Sequence, residues 1–204
     1  MTRRLTLFSD YKSPYAYLAK EPAYELEREF GVVIDWLPYT LDIPSYLGSA
    51  RVDEKGDTVE ETRTAHEWRR VRYSYVDCRR YANRAGLVIR GPRKIFDSSL
   101  ANIAMLYAID RGVFRSYHDL TFERFWKREL DIEDREAVRA VLEEAGAGVA
   151  AFFDYLDGDG RRAHDRIRAK AEADGVFGVP SFVLDGELFW GREHLPLIRE
   201  LLAR

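Results

Sequence analysis

Two short stretches of this chain hold residue types at a spacing that can do chemistry. The first is Asp10-Tyr11-Lys12-Ser13-Pro14. Ser13 suits the N-cap of a helix, because its hydroxyl accepts from an otherwise unpaired N–H of the first turn. Pro14 suits the first helical position, where the N–H it lacks would be unpaired anyway. A helix N-terminus carries free N–H groups and partial positive charge, which favour an anion. A thiol held there loses its proton more readily, and Ser13 could donate a hydrogen bond to the resulting thiolate. The same residues also describe a plain helix cap. The second stretch is Gly175-Val176-Phe177-Gly178-Val179-Pro180-Ser181-Phe182. Pro180 stands where a loop enters a strand, a position that tolerates proline. The Val179–Pro180 bond is open to either isomer.

Other candidates are weaker. Arg69-Arg70-Val71-Arg72 with Arg79, Arg80 and Arg84 reads as a solvated basic helix. At 100° per residue these arginines cannot share one narrow face, yet one turned inward, Arg70, could hold a carboxylate with two parallel hydrogen bonds. Cys78 is the chain's one cysteine, which excludes an internal disulfide, a CxxC pair and a cysteine-rich zinc site. On its helix it reads as a small buried hydrophobe. His66, His118, His164 and His194 are too scattered for a metal motif. Among the aromatic residues, Tyr15 and Tyr17 follow Ser13 closely enough to wall an aromatic substrate.

The chain has 204 residues, with 32 Lys and Arg against 35 Asp and Glu, a net charge of −3. That balance argues against a dedicated nucleic-acid binder, which carries a basic excess. Apolar residues at 46% are enough for a core, and their longest runs are far too short for a bilayer span. The start, MTRRLTLFSD, lacks the apolar stretch of a secretory signal. With a single cysteine, the expected home is the reducing cytoplasm.

The elements that must position these residues follow a clear order. Residues 4–9 alternate as a strand, a helix runs from Pro14 to Gly31 with a kink or break expected at Pro22, and residues 32–36 form a second strand. This β-α-β opening predicts a parallel pair. Helical patterns follow at 61–85, 97–111, 114–127, 134–145 and 160–174, with almost no strand signal among them. Residues 181–184 and 187–190 flank Asp185-Gly186, a strong hairpin signal, and a last helix spans 193–203. The result is a small mixed α/β sheet interrupted by a helical insertion.

At this point the residues resemble a known family. Phe8 to Ala19 (FSDYKSPYAYLA) and Gly175 to Gly191 (GVFGVPSFVLDGELFWG) are similar to 2-hydroxychromene-2-carboxylate isomerases and kappa-class glutathione transferases. Both groups are thioredoxin-like proteins of the DsbA superfamily. Tyr73, Asp77, Arg80 and Ala82 resemble the pattern of a helix between those motifs, and Phe122 to Asp134 the next signature. The resemblance implies a thioredoxin-like α/β core from residues 1–45 and 172–204, with residues 46–171 as an inserted helical domain. It implies reduced glutathione as cofactor, its sulfur held by Ser13. Val179, before a cis Pro180, would pair with the tripeptide backbone, and Glu193 and His194 would meet the γ-glutamyl end. Arg70 aligns with a lysine of the family, and a homodimer is implied.

The chain departs from the family in three places, the first being Arg70 where the family has lysine. His194 stands where arginine is usual, and the loop at 41–50 has no asparagine. The resemblance implies a glutathione-dependent isomerase of an aromatic unsaturated carboxylate. Two alternatives are a kappa-type transferase conjugating electrophiles and a redox-inactive peptide-binding module. Disulfide exchange needs a protein thiolate, and Ser13 and Ala16 occupy the places of the two cysteines.

Overall fold

The computed structural model describes residues 3–204. Strand β1 (Arg4–Ser9) leads into helix α1 (Pro14–Phe30), which begins behind a Ser13 cap and ends at Gly31 in the left-handed conformation. The helix is not split at Pro22 but runs on through it. Proline inside a helix costs about 3 kcal/mol, and the burial of Ala19, Ala23 and Leu26 on either side of it outweighs that cost. Strand β2 (Val33–Pro38) returns parallel to β1, pairing Leu5 with Ile34 and Leu7 with Trp36.

The middle of the chain holds α2 (Pro44–Leu47), β3 (Ala50–Val52), β4 (Thr58–Glu61), α3 (Ala65–Arg84), α4 (Ser99–Asp110), α5 (Phe114–Lys127), α6 (Arg135–Glu144), α7 (Phe152–Asp157) and α8 (Asp159–Ala173). The pattern reading started α3 at residue 61 and saw no strands before it. Instead β3 and β4 form a small antiparallel hairpin, and α3 starts only after Thr64. The cause is local: Thr64 and Glu67 form a capping box, each side chain bonding the other's backbone N–H. The six-residue α7 is too short for helical periodicity to reveal.

Strands β5 (Ser181–Leu184) and β6 (Glu187–Trp190) complete a four-stranded sheet in the order β2-β1-β5-β6. Asp185 and Gly186 turn between them, both with positive φ, as a tight hairpin requires. A 3-10 turn (Arg192–His194) then precedes α9 (Leu195–Leu202). The alternation along β1 sorts the core. Leu5 and Leu7, with Ile34, Trp36, Phe182 and Leu184, pack with residues of α1 and α9. Phe8 points the other way into the helical block. Helix α4 is buried all round from Ala101 to Ala108, as the centre of that block must be.

Helix α8 passes α4 very closely. At Gly160 an added Cβ would lie 2.5 Å from the Tyr155 ring and 2.7 Å from a methyl of the fully buried Ile103. Helix α5 delivers a different feature, the fully buried His118. Its ring lies 4.7–5.3 Å, centre to centre, from those of Tyr11, Trp36, Phe114 and Phe122. Nδ1 is 2.9 Å from the Tyr11 hydroxyl, and Nε2 has no partner among the described residues. Burial first, then the positive charges of Lys20 and Arg115, hold its pKa well below the ordinary value.

Two outcomes follow. Gly→Ala in a helix ordinarily gains about 0.5–1 kcal/mol, but Gly160→Ala should lose about 1–3 kcal/mol through overpacking, seen as a lower denaturant midpoint. An unchanged or higher midpoint would refute the close α4–α8 approach. For His118, the folded protein refuses a proton that the unfolded chain accepts below about pH 6.5. Stability is therefore full above that pH and falls on acidification, by up to ~1.4 kcal/mol per pH unit from this group. In His118→Gln the unfolding free energy should fall less steeply between about pH 6.5 and 5; equal slopes would remove His118 as the cause.

Candidate functional site

Because β1 and β5 are neighbours in the sheet, the loops at their adjoining ends meet. One loop runs from β1 through Asp10 to Ser13, and the other runs through Val179 and Pro180 into β5. Ser13 is buried at the start of α1. Its Oγ accepts from the Ala16 N–H at 3.2 Å and donates to the Val179 carbonyl at 3.4 Å, joining residues 166 apart in sequence. The Val179–Pro180 peptide is cis. Among the described residues, the Val179 N–H has no hydrogen-bond partner. An unpaired backbone donor therefore lies beside the α1 N-terminus.

The loop before Ser13 is fixed by Asp10, which is buried. Its carbonyl accepts the Ser13 N–H at 3.0 Å, which shapes the turn into α1. One carboxylate oxygen accepts the Leu41 N–H at 2.8 Å; the other accepts the Asn102 side-chain amide at 3.3 Å and the Lys12 N–H at 3.4 Å. Lys12, also buried, places its Nζ 3.8 Å from the first oxygen. Asn102 donates as well to Thr40 at 2.7 Å, whose hydroxyl lies 2.8 Å from Nε2 of the buried His164. Oδ1 of Asn102 has no partner among the described residues.

Helix α3 closes one side. The Tyr15 hydroxyl donates to Asp77 at 3.3 Å and meets Cys78, and burial pushes its pKa upward. Burial likewise pushes the Cys78 thiol up to about 12, so it is protonated at neutral pH and no nucleophile. The Arg192 guanidinium stacks 3.5 Å above the Tyr81 ring, on the same helix as Asp77.

The structure brings Ser13, Val179, Pro180 and Tyr15 together. Glu193 and His194 follow closely, since Gly191 N–H donates to the Pro180 carbonyl at 2.9 Å. Glu193 is exposed and folds back over Gly191, while His194 lies against the Phe189 ring with centres 6.0 Å apart. Two expectations are corrected. Tyr17 is not a substrate wall: it is buried and stacked on Phe122 at 5.2 Å, because helical spacing turns it to the core. Arg70 is not turned inward: it is exposed, although its charge is felt at the Tyr46 hydroxyl on α2.

Asp10 and Lys12 lie inside the first motif, yet their burial gave no signal, because both types usually face water. Thr40, Asn102 and His164 carry no local pattern at all. Among the described residues, no group of His, Cys, Asp or Glu could hold a metal, and no helix is long and apolar enough to cross a membrane.

Comparison with known proteins agrees with this fold. A 2-hydroxychromene-2-carboxylate isomerase of Sphingobium xenophagum is 26% identical over 203 residues, covering 99% of each chain. A solved 2-hydroxychromene-2-carboxylate isomerase superposes with a TM-score of 0.76 at 22% identity, covering 98% of this chain and 95% of that one. The cytosolic disulfide reductase DsbM of Pseudomonas aeruginosa, solved with GSH, gives 0.61 at 17% identity and covers 98% and 96%. The family model described as a DSBA-like thioredoxin domain matches residues 4–203, and the chain belongs to that family.

Proposed function

We propose that this protein is a glutathione-dependent isomerase of an aromatic unsaturated carboxylate. The observation that carries the reading is the Ser13 hydroxyl at the N-terminus of a 17-residue helix, 3.4 Å from the Val179 carbonyl, in a chain whose one cysteine is buried on α3. A site built for thiol chemistry without a protein thiolate must borrow its sulfur. Relatives named 2-hydroxychromene-2-carboxylate isomerase support the reaction, and a family neighbour solved with GSH supports the cofactor.

When bound, glutathione supplies a thiolate that adds reversibly to a conjugated carbon–carbon double bond, which rotates while single and re-forms as the thiolate leaves, with every atom and electron returned. The chain's own residues do the rest. The Ser13 Oγ–H turns from Val179 to the sulfur anion, and the free N–H groups of the first turn add positive potential. Together they hold the cofactor thiol deprotonated at neutral pH. The unpaired Val179 N–H and its carbonyl bond the tripeptide backbone in the manner of an added strand. Glu193 and His194, held near Pro180 by the Gly191 hydrogen bond, face the γ-glutamyl end. The Tyr15 ring, fixed by Asp77, walls the substrate beside the sulfur.

Calorimetry with reduced and S-methyl glutathione tests the reading. A hydrogen bond to a charged group is worth about 1.5–3 kcal/mol, so Ser13→Ala should weaken reduced glutathione at least about tenfold and leave the S-methyl form nearly unaffected. Wild-type enzyme should then interconvert 2-hydroxychromene-2-carboxylate and its ring-opened isomer only with glutathione present. Accumulation of a stable adduct instead would make it a transferase. Unchanged glutathione affinity and turnover in Ser13→Ala would sink the proposal.

A further inference from the structure

The lysine beside Ser13 is buried and underused inside the fold. Its side chain is only 4% exposed, and an ammonium withdrawn from water normally uses its N–H groups in hydrogen bonds. Lys12 Nζ makes none among the described residues. Its one ion-pair partner, the Asp10 carboxylate, lies 3.8 Å away, beyond hydrogen-bond range. Asp10 also accepts hydrogen bonds from Leu41, Asn102 and the Lys12 backbone, so Lys12 supplies that carboxylate with charge alone. The surroundings add positive charge. Arg161 and Lys12 both act on Asp97, whose carboxylate is in turn occupied by the Ser99 N–H at 2.9 Å. Arg70 acts on Tyr46 at the edge of the same region, where Asp10 and Asp42 oppose it. Neither Arg70 nor Arg161 is in an ion pair among the described residues.

We infer that the Lys12 ammonium receives the carboxylate of the unsaturated substrate, making Lys12 the residue that selects an acid over its neutral analogue. Lys12 adjoins Ser13 in the chain, so one lysine stem separates the carboxylate from the carbon that meets the sulfur. A carboxylate bonded there replaces the missing acceptors of a buried cation, a charge-assisted interaction that a ketone or amide matches poorly. This inference rests on the isomerase reading for its substrate, and the same chemistry could in principle serve a glutathione carboxylate; the test separates the two.

The probes are benzylidenepyruvate, a conjugated enone with a carboxylate, and benzylideneacetone, the enone without it. Their binding is measured by calorimetry in the absence of glutathione, then their rates of glutathione addition are compared. Wild type should bind the acid at least about tenfold tighter than the ketone, and Lys12→Met should reduce that ratio at least about tenfold, as loss of one charge-assisted bond requires. The double variant Asp10→Asn/Lys12→Met, which removes both charges of the pair, should show the same loss and guards against misfolding of the single variant. An acid-to-ketone ratio unchanged in both variants overturns the inference. So does a wild type without preference for the acid, or a loss confined to reduced glutathione binding. Failure of wild type to isomerise any substrate defeats the isomerase reading alone, because acid binding without glutathione still decides the role of Lys12.

Discussion

A carboxylate sealed from water organises this molecule. Asp10 lies at the end of β1, and each of its polar atoms draws in a different element: its carbonyl sets the turn into α1, one carboxylate oxygen holds the loop after β2, and the other holds α4. A buried charge left without partners costs several kcal/mol, so these elements cannot drift apart without exposing it to that cost. The thioredoxin-like sheet and the helical block are thereby fixed to each other at the point where Ser13 must be aimed. Thr40 and His164 extend the tie through Asn102 to α8. The position of the helix cap is therefore a tertiary property, although its conformation is local.

That division explains what could be read from the sequence. Ser13-Pro14 and Asp185-Gly186 act through backbone rules that span a few residues, and both act in the structure as those rules require. The alternation in β1 likewise sorted Leu5 and Leu7 from Phe8. Pro22 misled because the rule for an isolated helix omits the packing of Ala19, Ala23 and Leu26. The start of α3 misled because charged residues around 60 suit an exposed hairpin as well as a helix. The Asp10–Asn102–Thr40–His164 network was out of reach, since hydrogen bonds between residues 62 to 124 positions apart leave no periodic trace. Tyr15 and Tyr17, two residues apart, show the limit most clearly: one bonds α3 at the site, the other stacks in the core, and only the helix phase separates them.

The chain's single thiol clarifies why Ser13 matters. Cys78 sits on α3 close enough to meet Tyr15, yet burial keeps it protonated. A serine hydroxyl is no substitute for a thiolate as nucleophile, but it is a good hydrogen-bond donor to one. A serine at this position carries no thiol redox chemistry while the electrostatics of the helix terminus remain. In the proposed reading the same scaffold serves a sulfur anion brought from outside, and no electrons need be exchanged.

Polar atoms without partners fall into two groups here, and their settings separate structure from function. His118 Nε2, Thr121 Oγ1 and Trp126 Nε1 all belong to α5 and are enclosed by core side chains. They cost stability and can meet nothing, so they are by-products of dense aromatic packing around a neutral imidazole. The Val179 N–H and the Lys12 ammonium lie instead at one place, the entry to α1. Two donors are left unpaired there, within the most tightly tied part of the fold. A fold that is elsewhere consistent tolerates such a concentration of unmet bonds where a ligand completes them. The rigidity imposed by Asp10 and the openness of its neighbours are thus one arrangement: the charge network holds the turn still, so that the groups it leaves free can be met by something that binds.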